Sequence, residues 1–302
     1  MSAPLISILT PCYNADGWVH RLLDSILAQD YPSLEMYAID DGSTDHTRQV
    51  IQSYVSRFQQ KGYALEYVYQ AHAGQSEAIN KGLKRVRGKY LVWPDSDDRY
   101  AATDALSLLA AALEGSGEEV SMVRCLPFYT DESGTPWQGY RLGSFDKEDL
   151  FEDFLFWRNG FWCLSGGYMV KMDLLDRYIP GRAISTALHA GQNFQLMLPL
   201  LYGHKCLTVQ KCLYQVFVRK NSHSRGQYQT SAELLRKNED FEHVLVQTLE
   251  NMEHIPEKKR WEYIRRVRWD YLKKNLKLGW QMHAPWIWIK IILREAYAQL
   301  KR

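Results

Sequence analysis

The strongest constraint on the fold is an alternation of strand and helix patterns over the first 125 residues. Short apolar, β-branched runs are separated by stretches whose apolar residues recur every three or four positions. The helical stretch before the fourth run is expected to end at Gly88, a residue typical of helix C-termini. The alternation favours the α/β class, with a mostly parallel sheet covered by helices on both faces. The predicted strands are Leu5–Thr10, Met36–Ile39, Leu65–Tyr69, Lys89–Trp93 and Val120–Cys125.

Polar and acidic residues follow three of these strands. The first strand runs into Pro-Cys-Tyr-Asn at 11–14, the second into Asp-Asp-Gly-Ser at 40–43 and the fourth into Asp-Ser-Asp-Asp at 95–98. Ligands of parallel sheets bind at the carboxyl ends of the strands. We therefore expect the three segments to form one site.

The acidic segment after the fourth strand is a candidate cation site. Residues two apart on an extended segment point the same way, so Asp95 and Asp97 can converge, with Asp98 beside them. Clustered carboxylates are unfavourable without a cation, and an all-oxygen ligand set suits Mg²⁺ or Mn²⁺. The alternative is a solvated acidic turn in which Asp98 or Asp104 caps the next helix.

Later parts of the chain follow other patterns. Gln192–Leu201 is predicted as a helix and Cys206–Val218 as a strand, and the chain from 231 onward as helices. Five scattered cysteines include no CxxC pair, which argues against a disulfide scaffold or a zinc site and favours a reducing cytosol. There is neither an apolar run of about 18 residues nor a secretory-signal pattern, so no conventional spanning helix is expected.

Charge separates the C-terminal part from the rest. The net charge of +2 combines +10 over residues 258–302, where 13 lysines and arginines accompany 3 acids, with −8 over residues 1–257. A basic, tryptophan-rich segment is typical of proteins at the headgroup boundary of anionic membranes. The alternative is a helix packed on the α/β domain with an exposed basic face. Nucleic acid is not an expected partner, because no binding motif is present and the body is acidic. The tryptophans are Trp261, Trp269, Trp280, Trp286 and Trp288.

Taken together, the motifs resemble those of the family 2 glycosyltransferases of GT-A fold. The resemblance is close over roughly the first 100 residues and loose to about 225. It implies a Rossmann-like sheet sandwiched by helices, with a nucleotide-binding half at 1–100 and an acceptor-side half at 101–230. A helical, basic extension at 231–302 would follow. The motifs are Thr-Pro-x-Tyr-Asn at 10–14, Asp-Asp-Gly-Ser-Thr-Asp at 40–45, Gly-x-x-x-Ala-x-Asn-x-Gly at 74–82, Gly-x-Tyr at 88–90 and Asp-Ser-Asp-Asp at 95–98.

The resemblance also implies roles for individual residues. Asp97 and Asp98 would bind Mn²⁺ or Mg²⁺, and a late basic loop at 219–225 would fold over the diphosphate and add His223 as a metal ligand. Ile79 stands where the family usually has an arginine, so a diphosphate contact from that position is not expected. The implied nucleotide-sugar residues are Pro11, Tyr13, Asn14, Asp41, Gly74, Ala78, Asn80, Asp95 and Asp97.

The clearest departure from the family lies at the general base. The family's base is the aspartate of a Glu-Asp pair opening a helix, and the matching stretch here has Gln192 and Asn193. The base could lie elsewhere, at His189, Asp173 or Asp176. Alternatively, Asn193 positions the acceptor while water or the diphosphate assists proton loss, or the protein binds donor without turnover. Trp162 and Gln192 are the expected acceptor-binding residues.

The functional prediction is a metal-dependent, inverting glycosyltransferase. Its expected donor is a nucleoside-diphosphate sugar, with UDP as the expected nucleotide, and its acceptor a saccharide or lipid-linked hydroxyl in surface polysaccharide or lipopolysaccharide assembly. It would be cytoplasmic and peripheral at the inner face of the membrane. The alternative is a sugar-nucleotide-binding protein with lost or reduced catalysis. A dinucleotide-dependent oxidoreductase is disfavoured because no Gly-x-Gly-x-x-Gly follows the first strand.

Overall fold

The computed structural model describes residues 3–131, 133–136, 143, 145–187, 191–218 and 228–300, with side chains as far as residue 293. The chain divides into two compact units, Met1–Val218 and Arg219–Arg302. The sequence places its boundary at 230/231, just before the first helix of the second unit, whereas the division by contacts falls after Val218.

The first unit is built on an eight-stranded mixed sheet of order β3-β2-β1-β4-β7-β6-β8-β5. The pairs β1–β2, β2–β3, β1–β4 and β6–β8 are parallel, whereas β4–β7, β6–β7 and β5–β8 are antiparallel. The strands are β1 (Ile6–Cys12), β2 (Leu34–Asp41), β3 (Ala64–Gln70), β4 (Tyr90–Val92), β5 (Arg99–Tyr100), β6 (Val120–Asp131), β7 (Tyr168–Lys171) and β8 (Lys205–Val218).

Seven α-helices accompany this sheet in the described part of the unit. Helix α1 buries Val19, Leu22, Leu23 and Ile26, the one-sided stripe expected of a helix on a sheet. Strand β2 is buried along its whole length, whereas the edge strand β3 alternates between buried and exposed residues. The helices are α1 (Val19–Leu27), α2 (Thr47–Gln60), α3 (Gln75–Leu83), α4 (Ala105–Glu114), α5 (Phe151–Leu155), α6 (Met172–Tyr178) and α7 (Gln192–Leu201).

The structure confirms the five predicted strands and the predicted helix Gln192–Leu201. The prediction that a helix ends at Gly88 is wrong, because α3 ends at Leu83. Gly88 lies instead against β1, where its N–H donates to Ser7 Oγ at 2.8 Å. A Cβ at this position would lie 2.6 Å from the Ser7 backbone nitrogen, so close packing explains the glycine.

The second unit contains α8 (Ser231–Asn251), α9 (Glu257–Gln281) and α10 (Trp286–Leu300). Thr230 and Glu233 form a capping box that satisfies the first N–H groups of α8. A small apolar cluster includes Leu235 of α8, Leu278 of α9 and Ile287 of α10. Within the described residues, no helix of the protein has both the length and the apolarity to cross a bilayer.

A buried carboxylate joins β1, β2 and the segment before β4. Glu35 is 2% exposed and accepts hydrogen bonds from Ser7 Oγ at 2.6 Å, from the Arg87 backbone N–H at 2.7 Å and from the Arg87 guanidinium at 2.7 and 3.0 Å. Burial acts to raise the pKa of Glu35, but the Ser7 and Arg87 hydrogen bonds outweigh it and lower the pKa below 4.5. The ionised form therefore holds these three segments together.

We expect Glu35→Ala to lower the free energy of unfolding by about 2 kcal/mol, because it leaves the buried Ser7 hydroxyl and Arg87 N–H without their acceptor. Urea unfolding measures the change. Glu66→Ala is the matched control, since its ion pair with Arg85 is long and exposed and should contribute less than about 0.5 kcal/mol.

The Glu35 contribution should also depend on pH. Because the folded pKa is lowered, the stabilisation is complete above the ordinary pKa of 4.5 and declines as pH falls through the folded pKa. The difference between wild type and Glu35→Gln should therefore shrink on acidification. A difference that stays constant down to pH 3, about the lower limit of a usable unfolding series, would contradict this explanation.

Candidate functional site

Loops after β1, β2 and β3 meet at the carboxyl edge of the parallel strands. The Asn14 backbone N–H donates to Ser43 Oγ at 2.9 Å, and Asn14 Oδ1 accepts from the Thr44 N–H at 2.9 Å. Asn14 has φ +47°. Gly42 has φ +79°, and a Cβ there would lie 2.6 Å from the His72 nitrogen. Asn14 thus joins the first two loops, and Gly42 permits the third to approach.

The carboxylate of Asp41 organises the third loop. Its Oδ1 accepts from Gln70 Nε2 at 2.7 Å and from the Ala73 N–H at 2.8 Å, and its Oδ2 accepts from the Gly74 N–H at 2.9 Å. His72 Nδ1 lies 2.9 Å from the same Oδ2. Asp41 is only 3% exposed, so these donors replace the water it loses on burial.

The His72 ring beside this carboxylate is stacked on a second ring, that of Tyr13. Tyr13 and His72 are stacked with centroids 4.4 Å apart, and both are exposed, Tyr13 at 43%. Pro11 is half-buried at the end of β1. The neighbouring Asp40 is buried and fully occupied in the fold, accepting from Tyr67 Oη at 2.6 Å and from the Ser43 N–H at 2.8 Å. Asp41, not Asp40, therefore lies at the exposed rings.

The acidic loop lies between β4 and β5, with Asp95 and Asp97 half-buried and Asp98 buried. Asp98 Oδ1 accepts from the Phe217 N–H at 3.1 Å, which joins the loop to the end of β8. Burial raises the pKa of Asp98 well above its usual range, and the charges of Asp97 and Asp95 raise it further. The carboxylates are close enough to repel each other, which is a condition that a bound cation relieves.

The first residues of α7 contact this loop and its surroundings. Asn193 Oδ1 accepts from Trp93 Nε1 at 2.9 Å, and Trp93 is two residues before Asp95. Gln192 Nε2 donates to Gln75 Oε1 at 2.8 Å, and Gln75 Nε2 reaches Asp95 Oδ1 at 3.4 Å. The two residues that replace the expected acidic pair are thus beside the acidic loop.

Other predicted site residues lie below the surface. Ala78 is fully buried, and Asn80 uses its amide to hold the Ile184 backbone, donating to its O and accepting from its N–H at 2.8 Å each. Trp162 is 1% exposed, and Arg124 covers its ring at 3.7 Å, so burial argues against a sugar stacking on it. Of the alternative bases, Asp176 is paired with Arg182 at 2.5 Å.

Two predicted residues, His189 and His223, lie outside the described residues, as does the basic loop at 219–225. Among the described residues, no group of three or more His, Cys, Asp or Glu side chains is arranged to hold a metal ion. Sequence reasoning missed Gln70, His72, Gln75 and Trp93. Gln75 directly follows Gly74 of a recognised motif, whereas nothing in the sequence pattern marks His72.

The chain is similar in sequence to a known protein family. The sequence model of glycosyl transferase family 2 matches residues 7–177, which is more than half of the chain and includes every loop of the site described above. The chain belongs to glycosyl transferase family 2.

Curated relatives are similar over about a third of the chain. An uncharacterized glycosyltransferase of Rickettsia prowazekii is 37% identical over 98 residues, covering 32% of this chain and 29% of the relative. The putative teichuronic acid biosynthesis glycosyltransferase TuaG of Bacillus subtilis is 38% identical over 98 residues, covering 32% of this chain and 37% of the relative. The matches thus span about a third of the length of these relatives.

Solved structures of similar fold extend further along the chain. Residues 1–349 of S. aureus TarS in complex with UDP superpose with a TM-score of 0.63 at 17% identity, covering 87% of this chain and 70% of that TarS fragment. The mannosyltransferase PcManGT of Pyrobaculum calidifontis, in complex with GDP-Man and Mn²⁺, gives 0.58 at 21% identity, covering 97% of this chain and 75% of PcManGT. These likenesses confirm the predicted GT-A fold.

The carboxylates of the acidic loop suit a divalent ion that binds together with a diphosphate. Asp95 and Asp97 offer carboxylate oxygens on one short loop, and Asp98 is already committed to Phe217. Mg²⁺ and Mn²⁺ are often bound by one or two carboxylates, with substrate phosphates completing the shell. Two carboxylates on one short loop therefore fit an ion that arrives with a diphosphate better than a permanently bound ion.

The pKa of Asp98 is raised and that of Asp45 is lowered, so replacing these two residues should change the stability in opposite directions. Ionised Asp98 costs stability at neutral pH, because its folded pKa is raised. Without divalent metal, Asp98→Asn should be at least as stable as wild type at pH 7, with an advantage that declines as the pH falls toward 3.8, the ordinary value for aspartate.

Asp45→Asn is the matched variant of opposite sign. Partial burial acts to raise the pKa of Asp45, but hydrogen bonds from Thr47 and Asp16 lower it, so its charge stabilises the fold above pH 3.8. Its replacement should lose about 1 kcal/mol at pH 7. Thermal melts in EDTA across pH test both, and equal effects of the two variants would contradict the assignment.

Proposed function

We propose that the protein transfers a sugar from a nucleoside-diphosphate sugar to a hydroxyl of a saccharide or lipid-linked acceptor in surface glycan biosynthesis. UDP is the expected nucleotide. The observation that carries the proposal is the position of the Asp41 loop, with its exposed Tyr13 and His72 rings, beside the acidic loop at 95–98. One loop suits a nucleoside and the other a diphosphate with its cation.

The nucleoside would bind at Asp41 and the two rings. An aromatic face at Tyr13 provides a stacking surface for a base, and a carboxylate accepts hydrogen bonds from base or ribose. In the structure four donors already surround Asp41. The most exposed of them, His72, is 59% exposed at its side chain and is the donor that a ligand would displace with least rearrangement.

The diphosphate would lie at the acidic loop. Asp97 and Asp95 would hold Mn²⁺ or Mg²⁺, which supplies electrostatic stabilisation of the negative charge that develops on the departing diphosphate. The acceptor oxygen would bond to the anomeric carbon as the bond to the diphosphate breaks, with inversion. PcManGT, which shares the fold, carries Mn²⁺ with its nucleotide sugar, and TarS binds UDP and UDP-GlcNAc.

The acceptor proton requires a base other than the side chains at 192 and 193. Neither amide takes a proton at neutral pH. Asp176 is engaged with Arg182, and Asp173 is exposed on α6. We therefore propose His189 or the leaving diphosphate as the proton acceptor. The second candidate function, donor binding without transfer, is favoured by the same observation, the pair of amides at these positions.

We further propose that the second unit binds the membrane surface that carries a lipid-linked acceptor, at its cytoplasmic face. Helix α9 exposes Trp261 at 45%, Trp269 at 60% and Trp280 at 69%. At about 100° per residue, these three and the exposed Leu276 fall within a sector of about 100° on one side of the helix. The exposed Arg265 lies in the same sector.

This stripe has the composition of an interfacial helix. Tryptophan rings favour the headgroup level, and each lysine or arginine near an anionic surface contributes about 1 kcal/mol. The strongly basic balance of residues 258–302 supplies these charges. Together they support attachment along the bilayer surface.

Asp97→Ala should abolish the gain in nucleotide affinity that Mn²⁺ provides, at least about tenfold, because it removes a carboxylate expected on the metal. Isothermal titration with UDP, other nucleoside diphosphates and UDP-sugars, each with and without Mn²⁺, measures this. Asp104→Asn, at an exposed aspartate paired with Lys211, is the control.

Transfer or donor hydrolysis by wild type would separate the enzyme from the binding protein. If no nucleotide binds, the donor site is assigned wrongly.

The double variant Trp269→Ala, Trp280→Ala should lower binding to vesicles containing anionic phosphatidylglycerol by about tenfold or more, because two interfacial anchors are removed. Sedimentation with vesicles measures the bound fraction. Trp157→Ala is the matched control, since Trp157 is a 50%-exposed tryptophan of the first unit. Equal loss from the control variant, or none from the double variant, would contradict the assignment of this stripe.

A further inference from the structure

We infer that Gln192 and Asn193 are positioning residues for the acidic loop, and that together with Trp93 and Gln75 they hold Asp95 and Asp97 ready for the cation and diphosphate. The inference rests on the proposed function of that loop. It assigns to the start of α7 a task different from general-base catalysis.

The bond between Asn193 and Trp93 is the stronger of two connections. Trp93 is 2% exposed, and its indole N–H has Asn193 Oδ1 as acceptor at 2.9 Å. Asn193 also hydrogen-bonds the Cys163 side chain. Because Trp93 and Pro94 lead directly into Asp95, fixing the indole fixes the start of the acidic loop. The side chain of Asn193 is therefore occupied on the protein itself.

The second connection is a chain of two hydrogen bonds, from Gln192 to Gln75 and from Gln75 to Asp95, in which each donor and acceptor is fixed. Gln192 Nε2 donates to Gln75 Oε1, which orients the Gln75 amide so that its Nε2 faces Asp95 Oδ1. A carboxylate at 192 could not donate to Gln75. The Gln75 amide would then turn to donate toward 192 and present its oxygen to Asp95, which is unfavourable. The amide at 192 is thus required by the direction of the chain of hydrogen bonds.

The experiment compares Trp93→Phe, Asn193→Leu and the double variant. Each single change removes the same hydrogen bond from opposite ends. The measured quantity is the ratio of UDP dissociation constants without and with Mn²⁺, from isothermal titration. We expect each single variant to lower this ratio about five- to tenfold, the worth of one hydrogen bond, and the double variant to lower it no further.

Two further variants sharpen the result. Asn193→Asp keeps an oxygen acceptor for Trp93 and should retain most of the ratio, whereas Gln192→Glu should lower it. Tyr63→Phe is the matched control, because it removes buried hydrogen bonds to the Gln29 and Tyr31 carbonyls and costs stability without touching the acidic loop. It should lower the melting temperature and leave the ratio unchanged.

Three outcomes overturn the inference. In the first, Mn²⁺ tightens UDP binding to wild type, and neither Trp93→Phe nor Asn193→Leu changes the ratio of the dissociation constants without and with Mn²⁺. The proposed function would then stand without this inference. Another is a double variant whose loss is the product of the single losses, since independent effects would mean that Asn193 acts elsewhere, for instance on substrate. The third is a wild type that binds nucleotide equally with and without Mn²⁺, which would overturn the metal-dependent function as well.

Discussion

The buried carboxylate of Asp41 is the interaction on which the site depends. It lies at the last position of β2, and the segment that follows β3 closes around it through the N–H groups of Ala73 and Gly74 and the side chain of Gln70. A buried carboxyl group without these donors would be strongly unfavourable, so the Asp41 side chain and the loop conformation require each other. This mutual dependence sets the start of α3, and with it the position of Gln75 beside the acidic loop.

The parallel half of the fold was predictable because β1, β2 and β3 are buried or alternating runs of seven or eight residues, and because the short β4 lies in an apolar run that ends at the acidic segment. Strands β1 and β2 pair in register from Ile6 to Cys12, which brings the polar segments after them to one edge. The antiparallel part was not predicted. Strand β5 has two residues and β7 has four, too few for a period to show in sequence, and both exist through pairing with β8, β4 and β6.

Within the site, the motifs located the loops but not the direction of each side chain. Tyr13 and Asp41 both lie next to His72 at the edge of the sheet where we propose that the nucleoside binds, whereas Asn80 of the same motif set binds the Ile184 backbone. An amide can serve a ligand or the protein backbone equally well, so residue type does not decide between them. Likewise Trp162 is a core residue because Arg124 and the Cys125 carbonyl cover it, contacts that arise only from the tertiary fold.

The amides at the start of α7 can be understood from the charge around them. Burial raises the pKa of Asp98, and the charges of Asp97 and Asp95 raise it further, so additional negative charge at this loop is unfavourable. Carboxylates at 192 and 193 would add negative charge beside this cluster and remove the donor on which the orientation of Gln75 depends. Two neutral amides instead connect α7 to the loop at no charge cost. If transfer takes place, the acceptor proton must then leave through a group away from this pair, and a diphosphate whose own charge is rising as it departs is a chemically suitable acceptor.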